Sequence, residues 1–250
     1  MSELLEPLFI IAIGILAGAI NTVAGGGSLI SLPVLIFLGL PGTVANGTNR
    51  VAILVQNISA VGGFRSKGVT IPMPYSLYLG IASLAGGFIG AKLAVDIPDE
   101  LFNRILAIVM VLVVISIIAG RKKSTFFEEN MSRTRQVIGL IGFFFLGVYG
   151  GFIQAGIGFL VIALLTNVHG FSLIKTNYIK VFAALVYTGI AVLVFAFEDK
   201  IMWKTGLILA IGQGLGGWFA SRWSVDKGEV WIKRVLVAVV IVLAVKLWFF

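Results

Sequence analysis

Amides, hydroxyls and two cations recur beside glycine clusters in this chain, a combination suited to holding an anion. Asn21 precedes Gly25, Gly26 and Gly27, and Ser28 follows them. Asn46, Thr48, Asn49, Arg50, Gln56 and Asn57 lie in the next long stretch, and a second set reads Gln154, Gly156, Gly158, Thr176, Asn177 and Lys180. Residues three and four apart share a helix face, which groups Asn46 with Asn49 and Arg50, and Thr176 and Asn177 with Lys180. An amide donates through its NH2 group and ligands an oxyanion without adding charge. Glycine permits the turn that breaks a helix, and a helix restarting after the break aims its N–H groups and positive dipole end into the gap. The candidate substrate-binding residues are therefore Asn21, Gly25, Gly26, Gly27, Asn46, Thr48, Asn49, Gln154, Gly156, Gly158, Asn177 and Lys180.

Each of these has a plainer use. Buried amides join helices, and small residues let helices approach closely; close packing is the expectation for Gly86, Gly87, Gly90 and the glycines from Gly212 to Gly217. Arg50 and Lys180 sit inside or near the start of apolar runs, where burying a cation costs about 2.5–3.5 kcal/mol. They either attract an anion or snorkel to the membrane surface.

What is missing narrows the chemistry. All the acidic residues fall at the N-terminus or in expected loops: Glu3, Glu6, Asp96, Asp99, Glu100, Glu128, Glu129, Glu198, Asp199, Asp226 and Glu229. That argues against an intramembrane aspartyl protease, an acidic cation filter and a carboxylate proton relay. His169 is the single histidine and reads as structural, and there is no cysteine. The expectation is a protein that is not an enzyme and uses no cofactor or metal.

The elements that must position these residues are membrane helices. Hydrophobic residues make up 59% of the 250 and charged residues 12%, about half the charge a soluble domain carries. Mean hydropathy is +1.06, so lipid is the expected solvent, with no nucleic-acid partner despite a net charge of +8. At about 20 residues per span, apolar runs read at 7–24, 28–40, 43–63, 74–94 and 101–119, then 136–155, 158–169, 173–197, 201–222 and 231–249. The first run lacks a basic n-region and reads as a structural helix rather than a signal peptide.

The two sets of five align. Ala24–Gly27 falls on Ala155–Gly158, Gly39 on Gly170 and Asn46 on Asn177; after one gap, Gly86-Gly87 falls on Gly216-Gly217, Lys92 on Arg222 and Arg104 on Arg234. This predicts an all-α polytopic protein with an N-terminal repeat (1–120), a basic cytoplasmic loop (121–135) and a C-terminal repeat (136–250). Loops with Arg65 and Lys67, with Arg121 to Arg135, and with Arg222 to Arg234 should be cytoplasmic, the acidic Asp96–Glu100 loop and both termini outside. Each half then crosses an odd number of times, which makes the repeats inverted, an arrangement that supports alternating access. The short second segments either span or fold back as re-entrant hairpins; the parity is odd in both cases.

Ala17-Gly18-Ala19-Ile20-Asn21-Thr22-Val23-Ala24-Gly25-Gly26-Gly27-Ser28, with Pro33 and Gly39-Leu40-Pro41-Gly42-Thr43-Val44-Ala45-Asn46-Gly47-Thr48-Asn49, resembles the TauE/SafE sulfite exporter family, also described as toluene sulfonate uptake permeases. Gly147 to Gly158 and Asn177 resemble its weaker C-terminal copy. The resemblance implies a bacterial inner-membrane carrier of sulfite or an organosulfonate such as sulfoacetate, and supports Asn21, Gly25–Gly27, Asn46, Thr48 and Asn49 as site residues. Gln154 and Lys180 rest on the residue argument alone. The expected partners are the lipid bilayer and a small anion, with self-association left open. An anion-selective channel and a carrier of a non-sulfur anion stand as alternatives.

Overall fold

A computed structural model describes residues 5–119 and 128–249. Among them every regular element is a helix: α1 (Leu5–Val23), α2 (Ser28–Phe37), α3 (Gly42–Ser66), α4 (Met73–Asp96), α5 (Asp99–Ala119), α6 (Arg133–Phe152), α7 (Ile157–His169), α8 (Leu173–Phe197) and α9 (Trp203–Phe249). Arg121, Lys122 and Lys123 of the expected central loop lie outside the described residues.

Turn chemistry explains the boundaries. α1 runs into the glycine triplet, where Gly25 takes φ +83°, and α2 begins just beyond it. α7 is bracketed by Gly156 and Gly170, both left-handed. Pro41 precedes α3, and Asp99 from the start of α5 caps it by accepting from the Thr43 N–H and hydroxyl at 2.8 and 2.6 Å. At 10 and 13 residues, α2 and α7 fall short of the roughly 20 needed to cross hydrocarbon.

One expectation fails. The separate segments 201–222 and 231–249 are a single 47-residue helix, with no loop at 222–234. At about 1.5 Å per residue it is about 70 Å long, more than twice the hydrocarbon thickness.

Helix packing follows small residues. Gly14 of α1 meets Gly212 and Gln213 of α9, Gly18 meets Gln213, and Gly216 meets Ile15 and Ala19; Gly86 of α4 meets Gly147 and Val148 of α6, Gly90 meets Val148 and Phe152, and Gly151 meets Gly87, with no room for a Cβ at these glycines. Each glycine pair is spaced small-x-x-x-small, which brings backbones together. α3 also packs along α9, and α8 along α4. α3 and α8 cross the middle antiparallel, with Gly47 beside Phe195 and Phe64 stacked on Tyr178.

Burial is the reverse of a soluble protein. Phe37, Phe145, Phe197 and Phe219 are well exposed, whereas Asn46, Asn49, Arg50, Gln56, Asn57, Gln154 and Lys180 are buried. Four helices (α1, α4, α6 and α8) are long and apolar enough to cross a membrane among the described residues. α3 is as long as α8 but carries the polar set on its buried side.

Candidate anion site

The two glycine breaks touch. The Gly158 N–H donates to the Gly25 carbonyl at 3.3 Å, and a Cβ on either glycine would collide with the other's backbone. α1 and α6 therefore end, and α2 and α7 begin, around one point. Helix ends leave carbonyls unsatisfied, and in a lipid setting the protein must satisfy them.

It does so with four polar side chains, Asn46 and Arg50 of α3 and Asn177 and Lys180 of α8, each reaching across to the other set's first helix. Arg50 of α3 donates through Nη1 to the Gly150 carbonyl (2.8 Å) and through Nη2 to the Gly151 carbonyl (2.6 Å), in the last turn of α6. Lys180 of α8 donates to the Asn21 and Thr22 carbonyls at 3.0 and 2.8 Å, in the last turn of α1, and to Asn177 Oδ1 at 2.8 Å. A cation at a helix C-terminus is favoured by the dipole as well as by the hydrogen bonds. The aligned amides act in the same way, with Asn46 Nδ2 donating to the Phe152 carbonyl at 2.8 Å and Asn177 Nδ2 to the Val23 carbonyl at 3.1 Å.

Neither cation snorkels. Arg50 is 0% exposed and Lys180 5%; Arg50 also lies over the Phe195 ring, 5.1 Å from its centroid. Among the residues whose burial is described no Asp or Glu is buried, and ion pairs form on other, more exposed cations such as Lys67, Lys92, Arg104 and Lys175. Two interior positive charges thus stand without a carboxylate.

Beside them is a small cavity lined by Asn21, Asn57, Gln154, Lys180, Tyr187 and backbone at Gly158, with room for about one water. Gln154 takes a left-handed conformation, φ 59°, which costs a non-glycine residue about 1–3 kcal/mol. Its side chain is held at both ends: Oε1 accepts from Arg50 at 3.3 Å, and Nε2 donates to Thr188 Oγ1 at 3.3 Å and, more weakly, to the Tyr187 hydroxyl at 3.5 Å.

The expected site residues thus divide. Asn21, Gln154, Gly158 and Lys180 line the cavity. Gly25, Gly26 and Gly27 form the adjoining break, with Gly26 against the Phe159 ring and Gly27 against Ala17 and Asn21; Gly156 starts the facing helix. Asn46 and Asn177 each donate one amide hydrogen to a helix end, Thr48 accepts from the Met202 N–H at 2.9 Å, and Asn49 accepts from Gln213 at 3.2 Å. Asn57, noted among the polar neighbours but left out of the candidate set, lines the cavity, as does Tyr187. Tyr187 is hidden in an apolar run, although Lys180, Ala184 and Tyr187 recur at helical spacing. His169 is structural: the Tyr75 hydroxyl lies 2.8 Å from its Nε2, and Phe171 stacks on the ring. Among the described residues no cluster could hold a metal.

The family model described as Sulfite exporter TauE/SafE matches residues 10–247. "Probable membrane transporter protein ORF9" of Sinorhizobium sp. is 31% identical over 251 residues, spanning 98% of this chain and 92% of its own. "Probable membrane transporter protein YfcA" of Escherichia coli (strain K12) is 30% identical over 98% of this chain and 89% of its own. A "Probable membrane transporter protein" of Haemophilus influenzae is 25% identical, covering 98% and 94%. No solved structure matches the chain.

Proposed function

This chain belongs to the TauE/SafE sulfite exporter family and is a multi-pass membrane transporter, and from that premise we propose that it moves a small sulfur oxyanion, sulfite or an organosulfonate, outward by alternating access. The observation that carries the anionic substrate is the pair of buried cations without a buried carboxylate beside the touching breaks. Charge placed in the interior needs compensation, and a mobile anion supplies it only while bound.

Helix pairing supports two inverted halves. α1 and α3 both pack along α9, and α6 and α8 both pack along α4: the same pairings with the halves exchanged, as a two-fold axis in the membrane plane would produce. α3 running antiparallel to α8 fits the same axis. The end with Arg65, Lys67, Arg135 and Lys175 is the more basic and is assigned to the cytoplasm of a bacterial inner membrane; the Asp96–Glu100 end is assigned outside. An inside-negative potential then drives anion export by about 2.3 kcal/mol per charge per 100 mV.

The cavity holds less than a sulfite ion, so its walls must separate to load substrate. The relevant test is flux in proteoliposomes. Saturable sulfite efflux that an opposing sulfite gradient accelerates supports the carrier. A non-saturating, voltage-driven current would replace it with the channel, and absence of any sulfite, thiosulfate or sulfoacetate flux would remove the sulfur-anion assignment.

A further inference from the structure

The cavity contains one polar group with nothing to bind. Asn57 is 1% exposed, lines the cavity, and its Nδ2 has no hydrogen-bond partner in the protein. A chain of bonds fixes which way its amide faces. The Thr22 hydroxyl donates to the Gly18 carbonyl at 2.8 Å, so its oxygen is left to accept, and Gln56 Nε2 donates to it at 3.0 Å. That turns Gln56 Oε1 toward Asn21 Nδ2, which donates to it at 2.6 Å. The second hydrogen on Gln56 Nε2 goes to Asn57 Oδ1 at 3.3 Å. Flipping Asn57 would set NH2 against NH2. Its amide nitrogen is therefore a cavity donor with no protein partner at all, and burying it unpaired costs about 1–3 kcal/mol.

Lys180, on the same cavity, is in the opposite situation. An ammonium has three donors, and all three are used by Asn21, Thr22 and Asn177. It can supply a field to the cavity but has no hydrogen left to give.

We propose that Asn57 is the side chain that hydrogen-bonds an oxygen of the transported oxyanion, and that Lys180 attracts the anion without touching it. The proposal rests on the transport reading above and adds the contact to it. The two residues then have separable signatures. Removing a contact weakens binding at every ionic strength alike, whereas removing a charge flattens the dependence on salt.

The test is sulfite binding to the purified full-length protein in nanodiscs, by calorimetry across a series of salt concentrations. Asn57→Asp keeps the acceptor that Gln56 uses but sets a carboxylate oxygen in place of the donor, adding repulsion to the lost contact, and should weaken sulfite binding by about 100-fold or more; Asn57→Ala removes the contact alone and should weaken it about tenfold with an unchanged salt slope. Lys180→Gln should flatten the slope. Melting temperature without sulfite identifies a variant that has lost its fold, and the other Asn57 variant then decides. Wild-type affinity in a folded Asn57→Asp or Asn57→Ala protein overturns the contact and leaves the transport reading standing. Failure of the wild-type protein itself to bind sulfite, thiosulfate or sulfoacetate overturns both.

Discussion

Arg50 shows how one side chain serves two halves of a chain at once. It sits on α3 yet closes the last turn of α6, satisfying two carbonyls and orienting Gln154. Arg50→Met should strand those acceptors and destabilise the protein by about 3 kcal/mol or more, read as a lower melting temperature in detergent or as loss of monodisperse protein; Arg50→Lys should recover part of it. Asn46→Ala and Asn177→Ala each remove one buried bond to a helix end and should cost about 1–3 kcal/mol of stability; an unchanged melting temperature would return these amides to the pool of substrate ligands. The residue types were readable in advance because polar groups in an apolar run stand out. Their partners were not, since Arg50 meets residues about a hundred positions away and Lys180 residues about a hundred and sixty away. No local pattern encodes such a pairing.

At the level of helices, hydropathy placed α1 to α8 within a few residues of their bounds, because the lipid-facing sides of these helices are exposed and apolar. It failed at 222–234 for an identifiable reason. Arg222, Asp226, Lys227, Glu229, Lys233 and Arg234 end an apolar run, but the stretch has no proline, and Glu229 and Lys233 stand at the four-residue spacing that supports a helix in water. Charge marked where hydrocarbon stops, not where the helix stops. The glycines of α4 and α6 offer a sharper test of packing. Alanine in a helix interior normally gains about 1 kcal/mol over glycine. Gly90→Ala and Gly147→Ala should instead destabilise, because their Cβ atoms would strike facing backbone. Gly68→Ala, with φ +72° and open space around it, should cost only about 1–2 kcal/mol from strain. Thermal unfolding of the three variants separates the two effects.

For the whole molecule, the natural absence of cysteine makes orientation directly measurable. Thr70 and Glu100 are exposed and lie in or beside connections at the two ends of α4. In intact cells a membrane-impermeant maleimide should react with Glu100→Cys and spare Thr70→Cys until the cells are opened; the reverse would invert the assignment and with it the direction of export.

The contact between Gly25 and Gly158 joins the two halves through bare backbone, which has a genetic consequence. When a bulky replacement damages most interfaces, trimming the residue opposite restores the fit. Here the residue opposite is already glycine, with nothing to trim. Selection for revertants of Gly25→Ala or Gly158→Ala should recover the original codon or distant suppressors, and none at the partner glycine.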